Sequence, residues 1–141
     1  MDVFSFADKL LAPDSKATAT RVPLQCILEI TRRCNLRCNH CYIGDARWKP
    51  DPGQMPTEKV LRLIDTLARE GTLWLTITGG EPLAHRDFRK IWRHAFEAGF
   101  LLHLYTNATL LDADEAGFLR EFPPGRIEVS FYGATRETYE R

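Results

Sequence analysis

From Leu24 onward the apolar positions follow two alternating rhythms. Leu24–Ile30, Leu73–Thr78, Phe100–Tyr105 and Ile127–Phe131 are short apolar runs, separated by longer segments whose apolar residues recur every three or four positions. The short runs predict strands and the longer segments predict amphipathic helices. The first run, with Cys26, Ile27, Leu28 and Ile30, is nearly continuous, as expected of a strand buried on both faces. Thr57 is the expected N-cap of the first helix and Glu58 sits in its first turn, where an acidic side chain suits the helix dipole. Val60, Leu61, Leu63, Ile64, Leu67 and Ala68 mark the apolar face of that helix, and Gly71 ends it. Phe88, Ile91, Trp92, Ala95 and Phe96 define a second helix, closed at Gly99. Asp112 opens a third, with Ala116, Leu119 and Phe122, stopped by Pro123-Pro124, and Thr135 starts a fourth. The order β-α-β-α-β-α-β-α predicts an α/β fold with a parallel sheet.

Residues 1–23 read as a leader outside this alternation. Phe4, Phe6, Leu10 and Leu11 fit a short amphipathic helix there, and Ser15–Thr20 is polar and linker-like. A Gly/Pro-rich stretch runs from Gly44 to Pro56. Residues 24–141 form the expected domain.

Composition narrows the function classes. The chain has 141 residues, 44% of them hydrophobic, which suits about one globular domain. Nineteen basic residues against nineteen acidic ones argue against a general polyanion binder, so no nucleic-acid partner is expected. Arg32, Arg33 and Arg37 are a local exception, either as solvated loop charges or as a face for an electron donor or anionic group. No apolar run reaches membrane-spanning length and the N-terminal segment carries Asp2, Asp8 and Asp14, so no membrane partner or secretory signal is expected and the reading is cytoplasmic.

Cysteine placement changes the picture most. Three of the four cysteines, Cys34, Cys38 and Cys41, fall at C-x3-C-x2-C spacing directly after the first strand. Clustered cysteines of this kind fit a metal centre better than a disulfide framework. Such a loop can wrap three thiolates around a 4Fe–4S cube, which ordinarily takes four. Three thiolates leave one iron with an open coordination site. A zinc knuckle is the competing reading, with His40 or a distant residue as fourth ligand. Structural zinc usually takes closed four-ligand sets, often with a second C-x2-C pair, and no second pair exists here.

The other unusual residues also follow strands. Gly79, Gly80 and Glu81, then Pro82, come after the second; Thr106 and Asn107 end the third; Ser130 and Tyr132 lie at the end of the fourth. In a parallel β/α barrel these positions meet at the C-terminal mouth, where active sites are built. Random placement would scatter them over both ends.

The cysteine triplet and the Gly79-Gly80-Glu81-Pro82 segment resemble the radical S-adenosylmethionine (radical SAM) superfamily. The resemblance covers roughly residues 24–141 and implies the front part of a partial parallel barrel, about four β/α units, with the C-terminal part absent. It implies a 4Fe–4S cluster on Cys34, Cys38 and Cys41, with S-adenosylmethionine on the open iron. It implies contacts to that cofactor from His40 near the adenine, Gly79, Gly80 and Glu81 at the amino group, and Ser130 at the carboxylate or ribose, with Asn107 a further candidate. His40 also reads as a loop histidine bonded to backbone, Asn107 as a turn residue, and the Gly pair as a plain strand-to-helix turn. Many relatives are acidic where Tyr132 stands.

The stretch from Glu128 through Thr135 to Tyr139 resembles members carrying a SPASM or twitch extension, which often modify peptides or proteins. The resemblance thus implies reductive cleavage of S-adenosylmethionine to a 5′-deoxyadenosyl radical. That radical would abstract hydrogen from a peptide or protein substrate, with a flavodoxin- or ferredoxin-type electron donor. The alternatives are a non-catalytic iron–sulfur or zinc module, and an inactive truncated product. Cys26 reads as a buried small hydrophobe; His85, His94 and His103 read as surface or packing residues, and Trp74 and Trp92 as core.

Overall fold

A computed structural model describes residues 23–44 and 54–139. The amphipathic helix expected around Phe4–Leu11 and most of the Gly/Pro-rich stretch lie outside the described residues. Four parallel strands form one sheet in the order β1-β2-β3-β4. They are β1 (Gln25–Thr31), β2 (Trp74–Gly79), β3 (Leu101–Thr106) and β4 (Arg126–Val129). The intervening helices are α1 (Thr57–Arg69), α2 (Phe88–Glu97) and α3 (Ala113–Glu121), and a short α4 (Arg136–Tyr139) follows β4. The sheet is the expected α/β type and stands open rather than closed into a barrel.

The core lies between one face of the sheet and helices α1–α3. Leu28, Ile30, Leu75, Ile77, Leu102 and Leu104 point into it from the strands. Val60 and Ile64 meet them from α1, Phe88, Ile91, Trp92 and Ala95 from α2, and Phe118 and Leu119 from α3. Burying one such aliphatic or aromatic side chain stabilises the fold by about 1.5–3 kcal/mol. Trp92 is enclosed, and its indole N–H donates to the carbonyl of Phe122 at 2.9 Å. Trp74, by contrast, is only half-buried.

The other face of the sheet is polar. Register places Ile27, Thr76, His103 and Arg126 in one row across the four strands, with Glu29 and Thr78 paired one step further along. This corrects the expectation for β1, which is not buried on both faces: Ile27 is 59% exposed while Leu28 and Ile30 are buried. The described helices all pack on one face of the sheet, so alternate residues of β1 point away from them despite an apolar sequence.

Two helix details also differ from expectation. Pro56, not Thr57, is the N-cap of α1. Thr57 is the first helical residue, and its buried hydroxyl donates to Asp87 Oδ2 at 2.6 Å, tying the start of α1 to that of α2. On α3, Phe118 replaces Ala116 on the buried face. Its ring lies 5.2 Å from Phe122 and 6.4 Å from Phe88, so aromatic packing sets the rotation of this short helix. Asp112 caps α3 as expected, accepting from the N–H of Glu115 at 2.8 Å. Gly71 and Gly99 close α1 and α2 at φ 88 and φ 83, left-handed positions that cost glycine little.

Candidate active site

The C-terminal ends of all four strands open onto one cavity of about 250 Å³. The loop after β1 contributes Cys34, Leu36, Cys38, His40, Cys41, Tyr42 and Ile43 to its wall. Thr78, Gly79 and Gly80 come from the end of β2, Tyr105, Thr106 and Asn107 from β3, and Ser130 and Tyr132 from just beyond β4. Of the nine sequence-expected site residues, Glu81 alone is not on this wall.

The cysteine loop is shaped by its own backbone. Cys41 N donates to Cys38 O, and Gly44 N to Cys41 O, each at 3.2 Å, so the last two cysteines sit on successive tight turns. Leu36 N donates to Cys34 Sγ at 3.4 Å. All three cysteines are free thiols. Among the described residues no three His, Cys, Asp or Glu side chains are grouped closely enough to hold a single metal ion. A zinc ion needs its ligands gathered around one point about 2.3 Å from each sulfur. Three thiolates spread along one cavity wall suit a group whose irons occupy separate corners. Three cysteines on one cavity wall are a donor set that fits three irons of such a cube.

The Gly79-Gly80 pair is required by its neighbours. A Cβ on Gly79 would stand 2.2 Å from Thr31 O, and one on Gly80 would stand 2.4 Å from Arg33 O and 2.5 Å from Arg32 O. Gly79 also holds φ 150, which side-chain-bearing residues rarely adopt. Gly80 N donates to Thr31 O and Glu81 N to Arg33 O, both at 2.8 Å. The pair thus locks the root of the cysteine loop onto the end of β2. The close approach expected of these glycines is made to protein backbone, while both residues still border the cavity.

Glu81 is fully buried beneath that wall. Its Oε1 accepts from Thr106 Oγ1 at 2.7 Å and from Leu83 N at 3.0 Å, and its Oε2 accepts from Asn107 N at 2.8 Å. One carboxylate therefore joins the ends of β2 and β3 and caps the turn Pro82–Ala84. Charged hydrogen bonds of this kind justify burying the group.

His40 and Tyr132 meet across the mouth, ring centroids 4.2 Å apart and planes at 69°. Tyr42 donates to Glu29 Oε1 at 2.9 Å. Although the ring is largely exposed, local desolvation of the hydroxyl first, then that hydrogen bond and the adjoining negative charges, push the phenol up to about 12. Ser130, one residue past β4, keeps its backbone N–H on Thr106 O at 3.1 Å and its side chain exposed. Arg32, Arg33 and Arg37 are exposed. Sequence reasoning missed Asn35 and Thr109, which bond to each other at 2.7 Å and to Asn107. The polar run Thr106–Thr109 directly after a strand was the available signal.

Cys26 lies partly buried on the helix side of β1, and burial raises its thiol pKa. His85 is buried, His94 bonds Asp65 at 2.7 Å and His103 is on the polar face, all away from the cavity wall.

An open parallel α/β sheet thus carries three cysteines on the wall of the cavity at its C-terminal mouth. The model of the Radical SAM superfamily matches residues 28–141, and the chain belongs to that family. It is 32% identical over 127 residues to the PqqA peptide cyclase of Rhodopseudomonas palustris, covering 90% of this chain and 33% of that protein. It is 34% identical over 112 residues to the AdoMet-dependent heme synthase of Oleidesulfovibrio alaskensis, covering 79% of this chain and 29% of the other. The structure of Streptococcus suis SuiB bound to its precursor peptide SuiA aligns with a TM-score of 0.73 at 20% identity, over 97% of this chain and 30% of SuiB. The chain therefore spans about a third of the length of the curated relatives it matches. Among the described residues no helix is long and apolar enough to cross a membrane.

Proposed function

We propose that this chain is the N-terminal part of the core domain of a radical SAM enzyme, with residues 1–23 as a leader. Cys34, Cys38 and Cys41 would hold the 4Fe–4S cluster, and the cavity beside them would hold S-adenosylmethionine. The observation that carries this is convergence: the thiolates, Gly79, Gly80, Asn107 and Ser130 arrive from four separate strand ends at one cavity. The bound cluster supplies one-electron reductive cleavage of S-adenosylmethionine, which yields the 5′-deoxyadenosyl radical used for hydrogen abstraction.

The residues of this chain bind and orient. Gly80 and Glu81 have spent their N–H groups on Thr31 and Arg33, so this segment offers carbonyl oxygens, the partners an ammonium group needs. Ser130 offers a hydroxyl suited to the carboxylate or ribose. His40 and Tyr132 form an aromatic edge against which the adenine would stack. Glu81 acts from beneath by fixing Asn107, rather than by touching the cofactor.

A peptide or protein is the proposed substrate class. The relatives include the PqqA peptide cyclase and mycofactocin maturase MftC of Mycobacterium ulcerans, and SuiB carries a precursor peptide. Members with a SPASM or twitch extension are the proposed group. The heme synthase relative keeps a tetrapyrrole as the rival substrate. A flavodoxin- or ferredoxin-type donor near the arginine-bearing loop, in the cytoplasm, completes the reading.

The test is anaerobic reconstitution with iron and sulfide, reduction, addition of S-adenosylmethionine and assay of 5′-deoxyadenosine. Formation of the product in the parent protein and its loss in Cys38→Ala are expected. Zinc uptake in place of iron would overturn the proposal.

A further inference from the structure

Cys34 has a neighbour from another strand. Asn107 Nδ2 lies 3.7 Å from Cys34 Sγ and 3.0 Å from Asn35 Oδ1. Asn107 Oδ1 accepts from Thr109 N at 3.0 Å and from Thr109 Oγ1 at 2.6 Å. Asn35 Nδ2 donates to that same hydroxyl at 2.7 Å.

These bonds decide which way the amide faces. A carboxamide has one oxygen acceptor and two N–H donors. A backbone N–H can only donate, so Thr109 N fixes the end of Asn107 that is oxygen. The amino end is then turned to the cysteine loop, with one hydrogen for Asn35 Oδ1 and the other aimed at Cys34 Sγ. Asn35, Thr109 and Asn107 close a ring of hydrogen bonds between the β1 and β3 loops. The main chain of Asn107 is anchored separately by its N–H on Glu81 Oε2 at 2.8 Å. Ala108, in the left-handed region at φ 59, bends the chain so that Thr109 can reach back to Asn107.

Resting on the reading of the site given above, we infer that Asn107 is a positioning residue for Cys34, donating an N–H···S hydrogen bond that orients the thiolate and raises the reduction potential of the cluster. Leu36 N supplies the same sulfur with a second donor. Donors to a ligand sulfur stabilise the more negative reduced state, and hydrogen bonding to sulfur is a recognised determinant of cluster potential. The residue then acts on the metal through its ligand rather than on S-adenosylmethionine.

The test is a redox titration followed by electron paramagnetic resonance on reconstituted parent protein, Asn107→Ala and Asn35→Ala. Asn107→Ala is expected to keep its iron while the ratio of reduced to oxidised cluster at fixed potential falls about tenfold, about 59 mV for one electron. Asn35→Ala, which loosens the ring but leaves the donor, is expected to move it in the same direction by less. Equal midpoints in the parent and Asn107→Ala would overturn the inference and leave the cluster assignment standing. No cluster in the parent protein would overturn both. If Asn107→Ala does not fold or holds no cluster, parent protein with nitrogen-15 in its asparagine side chains decides. Hyperfine coupling of such a nitrogen to the reduced cluster supports the bond, and its absence overturns it.

Discussion

The carboxylate of Glu81 accepts the hydroxyl of Thr106 at 2.7 Å, joining the ends of two parallel strands directly beneath the cavity. Three donors converge on this carboxylate: Leu83 N, Thr106 Oγ1 and Asn107 N. Glu81→Gln puts an amino group against either Leu83 N or Asn107 N, donor facing donor. The expected cost is about 2–4 kcal/mol, from one lost charge-assisted bond and one unsatisfied buried donor. Thr106→Val, which deletes the bond to Glu81 and the one accepted from Ala108 N, is expected to cost about 1–3 kcal/mol. Urea unfolding of the two variants checks the order, and equal stability of Glu81→Gln and parent would refute it.

Gly79→Ala and Gly80→Ala are expected to destabilise the chain and to lower iron retention. Each new methyl meets a backbone carbonyl at the root of the cysteine loop, at 2.2 Å and 2.4 Å. A backbone clash cannot be relieved by a rotamer change, so about 2 kcal/mol or more is expected at each site. Gly117, where a methyl meets nothing within 4 Å, is the control, and Gly117→Ala in the exposed part of α3 is expected to stabilise slightly. Thermal unfolding with iron analysis measures both effects.

Cys26→Ala is expected to retain full cluster iron, whereas alanine at Cys34, Cys38 or Cys41 removes it. Cys26 Sγ lies on the helix side of β1, packed against the core. Iron and sulfide content after anaerobic desalting reads the contrast. Loss of iron in Cys26→Ala alone would point to a different ligand set.

His85 makes part of the stability depend on pH. Burial holds its imidazole below the ordinary value of 6.5, and its Nδ1 accepts from Asp87 N at 3.0 Å while its Nε2 is buried with no partner among the described residues. The unfolded chain takes up the proton first as pH falls. The contribution is therefore complete above 6.5 and is lost as pH drops from there towards the depressed folded value. His85→Asn keeps an acceptor for Asp87 N without titrating, so its melting temperature is expected to fall less between about pH 7.5 and about pH 5.5. An unchanged pH slope would refute the role.

Tyr132→Ala is expected to weaken S-adenosylmethionine binding by about 2–12-fold, the equivalent of about 0.5–1.5 kcal/mol for an aromatic pair. The partner ring His40 stands at 4.2 Å. Equilibrium binding on the reconstituted protein measures it, and unaltered affinity would place the adenine elsewhere.

Much of this was legible in the sequence because the relevant rules are local. Alternation of short and long apolar segments predicted the four strands and four α-helices among the described residues, since periodicity follows backbone geometry. The triplet Cys34, Cys38, Cys41 was legible because a loop of that spacing can act alone on one cluster. The burial of β1 was not. Ile27 is as apolar as Leu28, and only the packing of α1–α3 on one face of the sheet separates the two. Nor was Thr57, whose hydroxyl looked free to cap a helix until Asp87, 30 positions away, was seen to take it.

The sequence by itself determined the order of the elements, the ligand loop and the placement of polar residues after each strand, because these depend on neighbours along the chain. Tertiary structure alone decided what those residues do to one another. It buried Glu81 under the cavity, set Gly79 and Gly80 against the Thr31–Arg33 backbone, and turned the Asn107 amide towards Cys34. Parallel strand pairing brings together loops that lie 73 residues apart. Local sequence cannot encode which hydrogen-bond donors will meet which acceptors across such a distance.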